Sequence, residues 1–167
     1  MKTVGIVAEF NPFHNGHKYL IDEAMRIYGA DACVVAMSGN FTQRGMPAVA
    51  DKWDRTYVAL NEGADLVVEI PVVCAVADAG RYAKASVGIL KALGCDAIAF
   101  GSESGDYESL FRVAERLKTH ADEINQHISI LRKQGISYPA AREQAYKALF
   151  NPDDSSPDLD ILSSPND

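Results

Sequence analysis

The sequence predicts a doubly wound α/β domain on a parallel sheet, with extra helices towards its C-terminal end. Two observations carry that expectation. Apolar, strand-like runs alternate with stretches of helical period as far as Phe100, and the short connections between them favour right-handed βαβ crossovers. From Asp106 onward only helical patterns remain.

The elements follow in order. Val4, Ile6, Val7 and Ala8 read as a buried strand extending to Phe10, and Pro12 stops it. The periodic residues Tyr19, Leu20, Ala24 and Met25 predict a helix from Gly16 to Tyr28. Further strands are expected over Ala32 to Ser38, Asp65 to Ile70 and Ala97 to Phe100, separated by helices over about Pro47 to Leu60 and Asp78 to Leu93. Leu110, Val113, Ala114 and Leu117 form one later apolar stripe, Ile124, Ile128 and Leu131 another, and Ala140 to Phe150 a third helix. Asn151 to Asp167, rich in Pro, Ser and Asp, reads as a loop or linker. The organisation expected is therefore an α/β core over 1–105, a helical extension of the same domain over 106–150 and a loop over 151–167.

Composition narrows the function. At 167 residues with 47% apolar content, the chain fits one domain with a sizeable core. Sixteen basic against twenty-three acidic residues give a net charge of −7, the wrong sign for gripping nucleic acid by charge alone. An RNA contact would need a local patch, for which Lys52, Arg55, Arg81 and Lys84 are candidates, or those cations are simply the solvated face of their helices. No stretch is long and apolar enough to span a bilayer, and the start lacks the signal-peptide pattern, so a soluble cytoplasmic protein without a membrane partner is expected. Cys33, Cys74 and Cys95 sit far apart in apolar segments, as reduced core thiols do.

The chemistry concentrates where the first strand gives way to the first helix. His14 and His17 lie at that junction, where unpaired backbone N–H groups and the positive end of the helix dipole favour an anion. Gly16 has no Cβ to hold a phosphate away, the imidazoles add N–H donors, and Lys18 can add a positive charge. Histidines at this spacing can also share a metal or be ordinary half-buried residues. No Asp or Glu lies one turn further on and no Cys pair is near, so no metal site is expected. Ligands of such sheets bind at the carboxyl ends of the strands, marked here by Asn11, Ser38-Gly39, Pro71 and Gly101-Ser102. Ser38 and Gly39 can meet ribose, phosphate or acetate, or form a plain turn; Arg44 can pair with an anion bidentately or face water. Glu9 and Glu69 at strand tips suit either Mg²⁺ carried on a nucleotide or pairing with Lys18 or Lys52. Trp53 can stack a base or belong to the core.

His14-Asn15-Gly16-His17 resembles the His-x-Gly-His signature of the nucleotidylyltransferase superfamily. The longer string Glu9-Phe10-Asn11-Pro12-Phe13-His14-Asn15-Gly16-His17 is more specific. With Met37-Ser38-Gly39-Asn40-Phe41-Thr42-Gln43-Arg44-Gly45 and Phe100-Gly101-Ser102-Glu103, it is similar to the bacterial tRNA(Met) cytidine acetate ligases over essentially the whole chain. The resemblance implies a Rossmann-like fold and an enzyme that activates acetate with ATP as acetyl-adenylate, then acetylates N4 of the wobble cytidine of elongator tRNA(Met). Mg²⁺ would come with the ATP. It implies His14 and His17 as the catalytic pair, with ATP held by Val7, Ala8, Glu9 and Phe10 at the strand end and by Asn11, Pro12 and Phe13 in the turn. Asn15, Gly16, Lys18, Tyr19 and Leu20 would contribute from the helix, Gly101 from the fourth strand's end and Asn166 from the tail. Ser38, Gly39 and Arg44 are the candidate acetate or phosphate contacts.

In that family a Pro-Asn segment like Ser164-Pro165-Asn166-Asp167 precedes a further helix, and the remaining part supplies a Ser/Thr-x-x-Arg phosphate clamp and most of the tRNA surface. On that resemblance the clamp lies in the remaining part, so this chain is expected to keep the fold and part of the ATP pocket without ligase activity. The alternatives are a conventional nucleotidylyltransferase joining AMP or CMP to a phosphorylated small molecule, and a nucleotide-binding module with no activity of its own.

Overall fold

The apolar runs form four parallel strands: β1 (Thr3–Ala8), β2 (Ala32–Ser38), β3 (Leu66–Ile70) and β4 (Ala97–Ala99), in the order β3-β2-β1-β4. The structure is a computed structural model describing residues 1–102, 104–150 and 157–163. It resolves into two units, Met1–Phe100 and Gly101–Asp167.

In the first unit, α1 (Asn15–Tyr28), α2 (Lys52–Asn61), α3 (Val72–Ala75) and α4 (Ala79–Ala92) connect the strands. Alternate strand residues face opposite ways. Val4, Ile6, Cys33, Val35 and Met37 pack with Ile21 and Ala24 of α1 and Ala59 of α2. Val34, Ala36 and Ile70 pack instead with Ala75 of α3 and Leu90 of α4. Both faces are apolar, which is why the strands read as continuous hydrophobic runs and why the sheet is doubly wound. The winding direction reverses between β1 and β4, which puts the carboxyl end of β1 beside the switch point where such sheets take ligands.

Three helix-to-strand connections share one device. Gly29-Ala30-Asp31, Gly63-Ala64-Asp65 and Gly94-Cys95-Asp96 each end a helix with a glycine at φ +62, +112 and +81, a backbone region closed to most side chains. The residue after each glycine donates five residues back, to Met25, Ala59 and Leu90. Each aspartate then brackets a neighbouring strand. Its N–H donates to the carbonyl of Lys2, Cys33 or Thr3, and its carboxylate accepts from the N–H of the same residue at 2.7–2.8 Å.

Where boundaries differ from expectation, local hydrogen bonding explains them. α2 starts at Lys52 rather than near Pro47, because Asp51 caps it by accepting the N–H groups of Trp53 and Asp54 at 2.7 and 2.9 Å. β1 ends at Ala8, two residues before the expected Phe10, which has turned to φ +48. The short α3 has no counterpart in the sequence reading. All three cysteines are free, and burial, aided by Asp65 and Cys95, pushes the Cys33 thiol up to about 12, as suits a core thiol.

The second unit is helical: α5 (Tyr107–Thr119), α6 (Ala121–Lys133), α7 (Tyr138–Phe150) and α8 (Pro157–Ser163). Ile124 and Ile128 pack with Ala141 and Ala145, while Val113 and Tyr146 pack with Leu159, Ile161 and Leu162. α8 corrects the expectation of a loop across the whole of 151–167. Its Leu159, Ile161 and Leu162 bury an apolar face, and Asp158, 2% exposed, anchors it. Arg112, Arg116 and the Tyr146 hydroxyl donate to that carboxylate, the last two at 2.8 and 2.7 Å. Prolines and acidic residues had masked a short amphipathic turn. Among the described residues no helix is long and apolar enough to cross a membrane.

Candidate functional site at the β1–α1 junction

His14 is the N-cap of α1, with extended backbone at φ −148 and ψ 173. Its Nδ1 accepts the N–H of Gly16 at 3.1 Å, and Nδ1 of His17 reaches back to accept the N–H of His14 at 3.3 Å. This is a reciprocal capping box in which histidines take the places usually held by a hydroxyl residue and a glutamate. The chemical consequence is a fixed tautomer: with Nδ1 accepting, each neutral ring carries its proton on Nε2 and has that N–H to offer a ligand. The two rings stack at 3.7 Å between centroids and 22° between planes. Burial, and then the neighbouring His14, lower the pKa of His17, so it is a neutral donor at pH 7.

Gly16 is tied to the same arrangement. A Cβ there would lie 3.0 Å from Cε1 and Nδ1 of His14, so the glycine makes room for the capping ring as well as for any ligand. Beneath the histidines, the Phe10 ring is 1% exposed and meets His17 edge-on at 4.9 Å and Phe13 at 4.8 Å. Its positive φ is rare for a bulky residue and marks a turn held by its surroundings. Asn11-Pro12 is a cis peptide, and the Asn11 side chain accepts the N–H of Val49 at 2.7 Å.

The remaining residues separate into several groups. Val7 and Ala8 are partly buried and pack against opposite faces of the sheet, and Leu20 packs into the core below α1. Asn15 and Tyr19 are exposed on α1. Lys18 Nζ bonds both carboxylate oxygens of Asp22 at 2.6 and 2.8 Å, so its charge is already held on the helix surface. Glu9 accepts the N–H of Gln43 at 2.6 Å, while Glu69 pairs with Lys52 at 2.6 Å. Gly101 is exposed, and a Cβ built there would meet nothing within 4 Å. Asn166 lies outside the described residues.

Ser38 is 1% exposed and its hydroxyl lies 3.4 Å from that of Tyr82, which makes it a buried strand-end residue. Gly39 gives way to Glu69: a Cβ would come within 2.1 Å of its Oε1. Arg44 is exposed at the tip of a tight turn, where Gly45 N–H donates to Thr42 and Phe41 bridges Pro47. That turn is pinned by Gln43, whose Nε2 donates to the Ala77 carbonyl at 2.8 Å. Trp53 is 71% exposed rather than core, with Lys52 over its ring at 5.3 Å.

Arg55 corrects the surface reading given to it by charge spacing. It is 3% exposed, and its guanidinium donates to the carbonyls of Ala50, Glu9, Ser38 and Gly39. The signal was present: Arg55 stands four residues before buried Ala59, on the core-facing stripe of α2. Gln43 and Asn40, whose side chain accepts the N–H of Lys52 at 3.1 Å, are loop-pinning residues with no such periodic cue.

Comparison with known proteins bears on this geometry. Residues 1–167 match the family model described as HIGH Nucleotidyl Transferase. The chain is 48% identical over 148 residues to a tRNA(Met) cytidine acetate ligase of Acetivibrio thermocellus, covering 88% of this chain and 36% of that one. It is 45% identical over 166 residues to the Bacillus subtilis protein of the same name, covering 99% and 39%. It is also similar to the crystal structure of Thermotoga maritima TmcAL bound with alpha-thio ATP, at a TM-score of 0.81 and 46% identity, over 90% of this chain and 37% of that one. The chain thus spans less than two fifths of the length of these relatives.

Proposed function

Because the chain belongs to the HIGH nucleotidyl transferase family, we propose that it is the nucleotide-holding part of an ATP-dependent ligase that acetylates N4 of the wobble cytidine of elongator tRNA(Met). The observation that carries this reading is the His14–His17 capping box, which turns two Nε2–H donors loose at a helix N-terminus beside the sheet's switch point. Acetate oxygen attacks the α-phosphorus of ATP, the phosphorus–oxygen bond to pyrophosphate breaks, and acetyl-adenylate forms. The cytidine amine then takes the acetyl group and AMP leaves. The protein supplies no nucleophile: its part in the first step is positioning and stabilising charge on the departing pyrophosphate.

The strand-end backbone from Val7 to Phe13 and the start of α1 are the ATP contacts of this reading. Arg44, at the tip of a pinned turn, is the acetate or phosphate contact. Ser38 is buried and Gly39 is crowded by Glu69, which favours Arg44 over them as the direct contact. Mg²⁺ arrives on the phosphates and keeps several waters; Glu69 is already engaged by Lys52. On this reading most tRNA contacts fall outside the region matched to the relatives, and the setting is the cytoplasm.

Radiolabelled pyrophosphate exchange tests the reaction class in the full-length protein. Exchange that requires acetate supports the ligase; exchange that requires a phosphorylated acceptor identifies a conventional nucleotidylyltransferase. The 167-residue chain given ATP, acetate and tRNA is expected to form no acetylated tRNA, and product formed by this chain alone refutes that assignment.

A further inference from the structure

The carboxyl edge of a parallel sheet presents main-chain carbonyl oxygens, which is an awkward place to receive an anion. Arg55 answers that problem. Its Nη1 donates to the carbonyl of Glu9 at 2.6 Å and that of Ser38 at 3.1 Å, its Nη2 to that of Gly39, and its Nε to that of Ala50 at 3.1 Å. A buried cation is costly unless its donors are used, and here they are used on main-chain carbonyls at the ends of β1 and β2. The Glu9 carbonyl belongs to the peptide that enters Phe10, the residue at φ +48 whose ring lies edge-on to His17 at 4.9 Å. One peptide and one ring contact therefore separate the guanidinium from the histidine pair.

We propose that Arg55 is a positioning residue of this site, gathering the carbonyls of Glu9, Ser38 and Gly39 so that the β1 end presents His14 and His17 in register and its carbonyl dipoles are offset by a buried positive charge. The proposal rests on the nucleotide-binding reading for its purpose, and on the hydrogen-bond geometry for its mechanism. A planar fork with five fixed donors suits carbonyls from two strand ends; a lysine ammonium has three donors on a flexible stem and cannot hold the same fixed spacing.

The test is Arg55→Lys in the 167-residue chain, measured well below its unfolding temperature. Calorimetric titration with the non-hydrolysable analogue AMP-CPP and Mg²⁺ is paired with ¹⁵N NMR of the His14 and His17 ring nitrogens. A folded variant whose analogue affinity falls about tenfold or more, and whose His17 nitrogens shift from the Nε2–H pattern of the wild type, supports the proposal. A folded variant with unchanged affinity and unchanged ring-nitrogen signals overturns it. If the lysine variant does not fold alone, both measurements are made on variant and wild type in trimethylamine N-oxide, which restores marginal folds by exclusion from their surfaces. A wild-type chain that binds no analogue refutes the nucleotide reading instead, and the ring-nitrogen signals then decide for Arg55.

Discussion

His17 cannot gain a proton on Nδ1 without giving up the N–H of His14 that it accepts there. Protonation and capping therefore compete. With its folded pKa below the ordinary 6.5, His17 binds fewer protons than it does in the unfolded chain. Its contribution to stability is present above pH 6.5 and is lost as the pH falls from there through the lowered folded value. An NMR titration is expected to place the His17 midpoint below 6.5, with urea stability declining in the same window; a midpoint above 6.5 contradicts the cap. On the proposed ligase reading, His17→Ala in a protein of the relatives' full length is expected to slow acetyl-adenylate formation by about 10²–10³, read by acetate-dependent pyrophosphate exchange. At this scale the histidines and Gly16 were legible because donors, spacing and a helix start coincide in sequence. The burial of Arg55 was signalled by its place four residues before Ala59, but its partners, carbonyls of Glu9, Ser38, Gly39 and Ala50, are announced by no side-chain pattern.

Among the elements, α1 joins folding and chemistry most directly, since its N-terminal cap is also the candidate site. Alanine in a helix interior is worth up to about 1 kcal/mol over glycine, yet a Cβ at Gly16 would press on the His14 ring at 3.0 Å. Gly16→Ala is therefore expected to leave urea stability within about 1 kcal/mol of wild type while weakening binding of an ATP analogue; equal affinity in calorimetry removes the steric argument. In the helical unit, α8 depends on Asp158. Burial alone would raise its carboxyl, but hydrogen bonds from Arg112 and Tyr146 and the charges of Arg112 and Arg116 outweigh that and hold it below the usual range. Asp158→Asn is expected to cost roughly 2 kcal/mol, seen in urea unfolding and as lost amide protection in α8. The acid limb adds a check: this contribution is present above the ordinary carboxylate pKa and disappears as pH falls through the lowered folded one. Strands and long helices were legible from their periods of two and 3.6. α8 was not, because seven residues with a proline start and alternating acids carry too little period to read.

For the whole molecule, the alternation of strands and helices up to Phe100 was enough to specify a doubly wound sheet, since right-handed crossovers leave few other topologies. The change to helices alone after residue 105 foreshadowed the division after Phe100 to within five residues, at the Gly- and Ser-rich stretch 101–105, although the sequence reading kept both parts in one domain. The Gly-x-Asp brackets were also overlooked, being three residues long and spaced by whole βα units. All three sit at the amino edge of the sheet, opposite the histidines, and each fastens one strand start to a neighbouring one. Strand order and stagger are thus supported at the edge away from the histidines. Apart from the strand ends that Arg55 gathers, loops at the carboxyl rim can therefore change length while the sheet beneath keeps the same alignment.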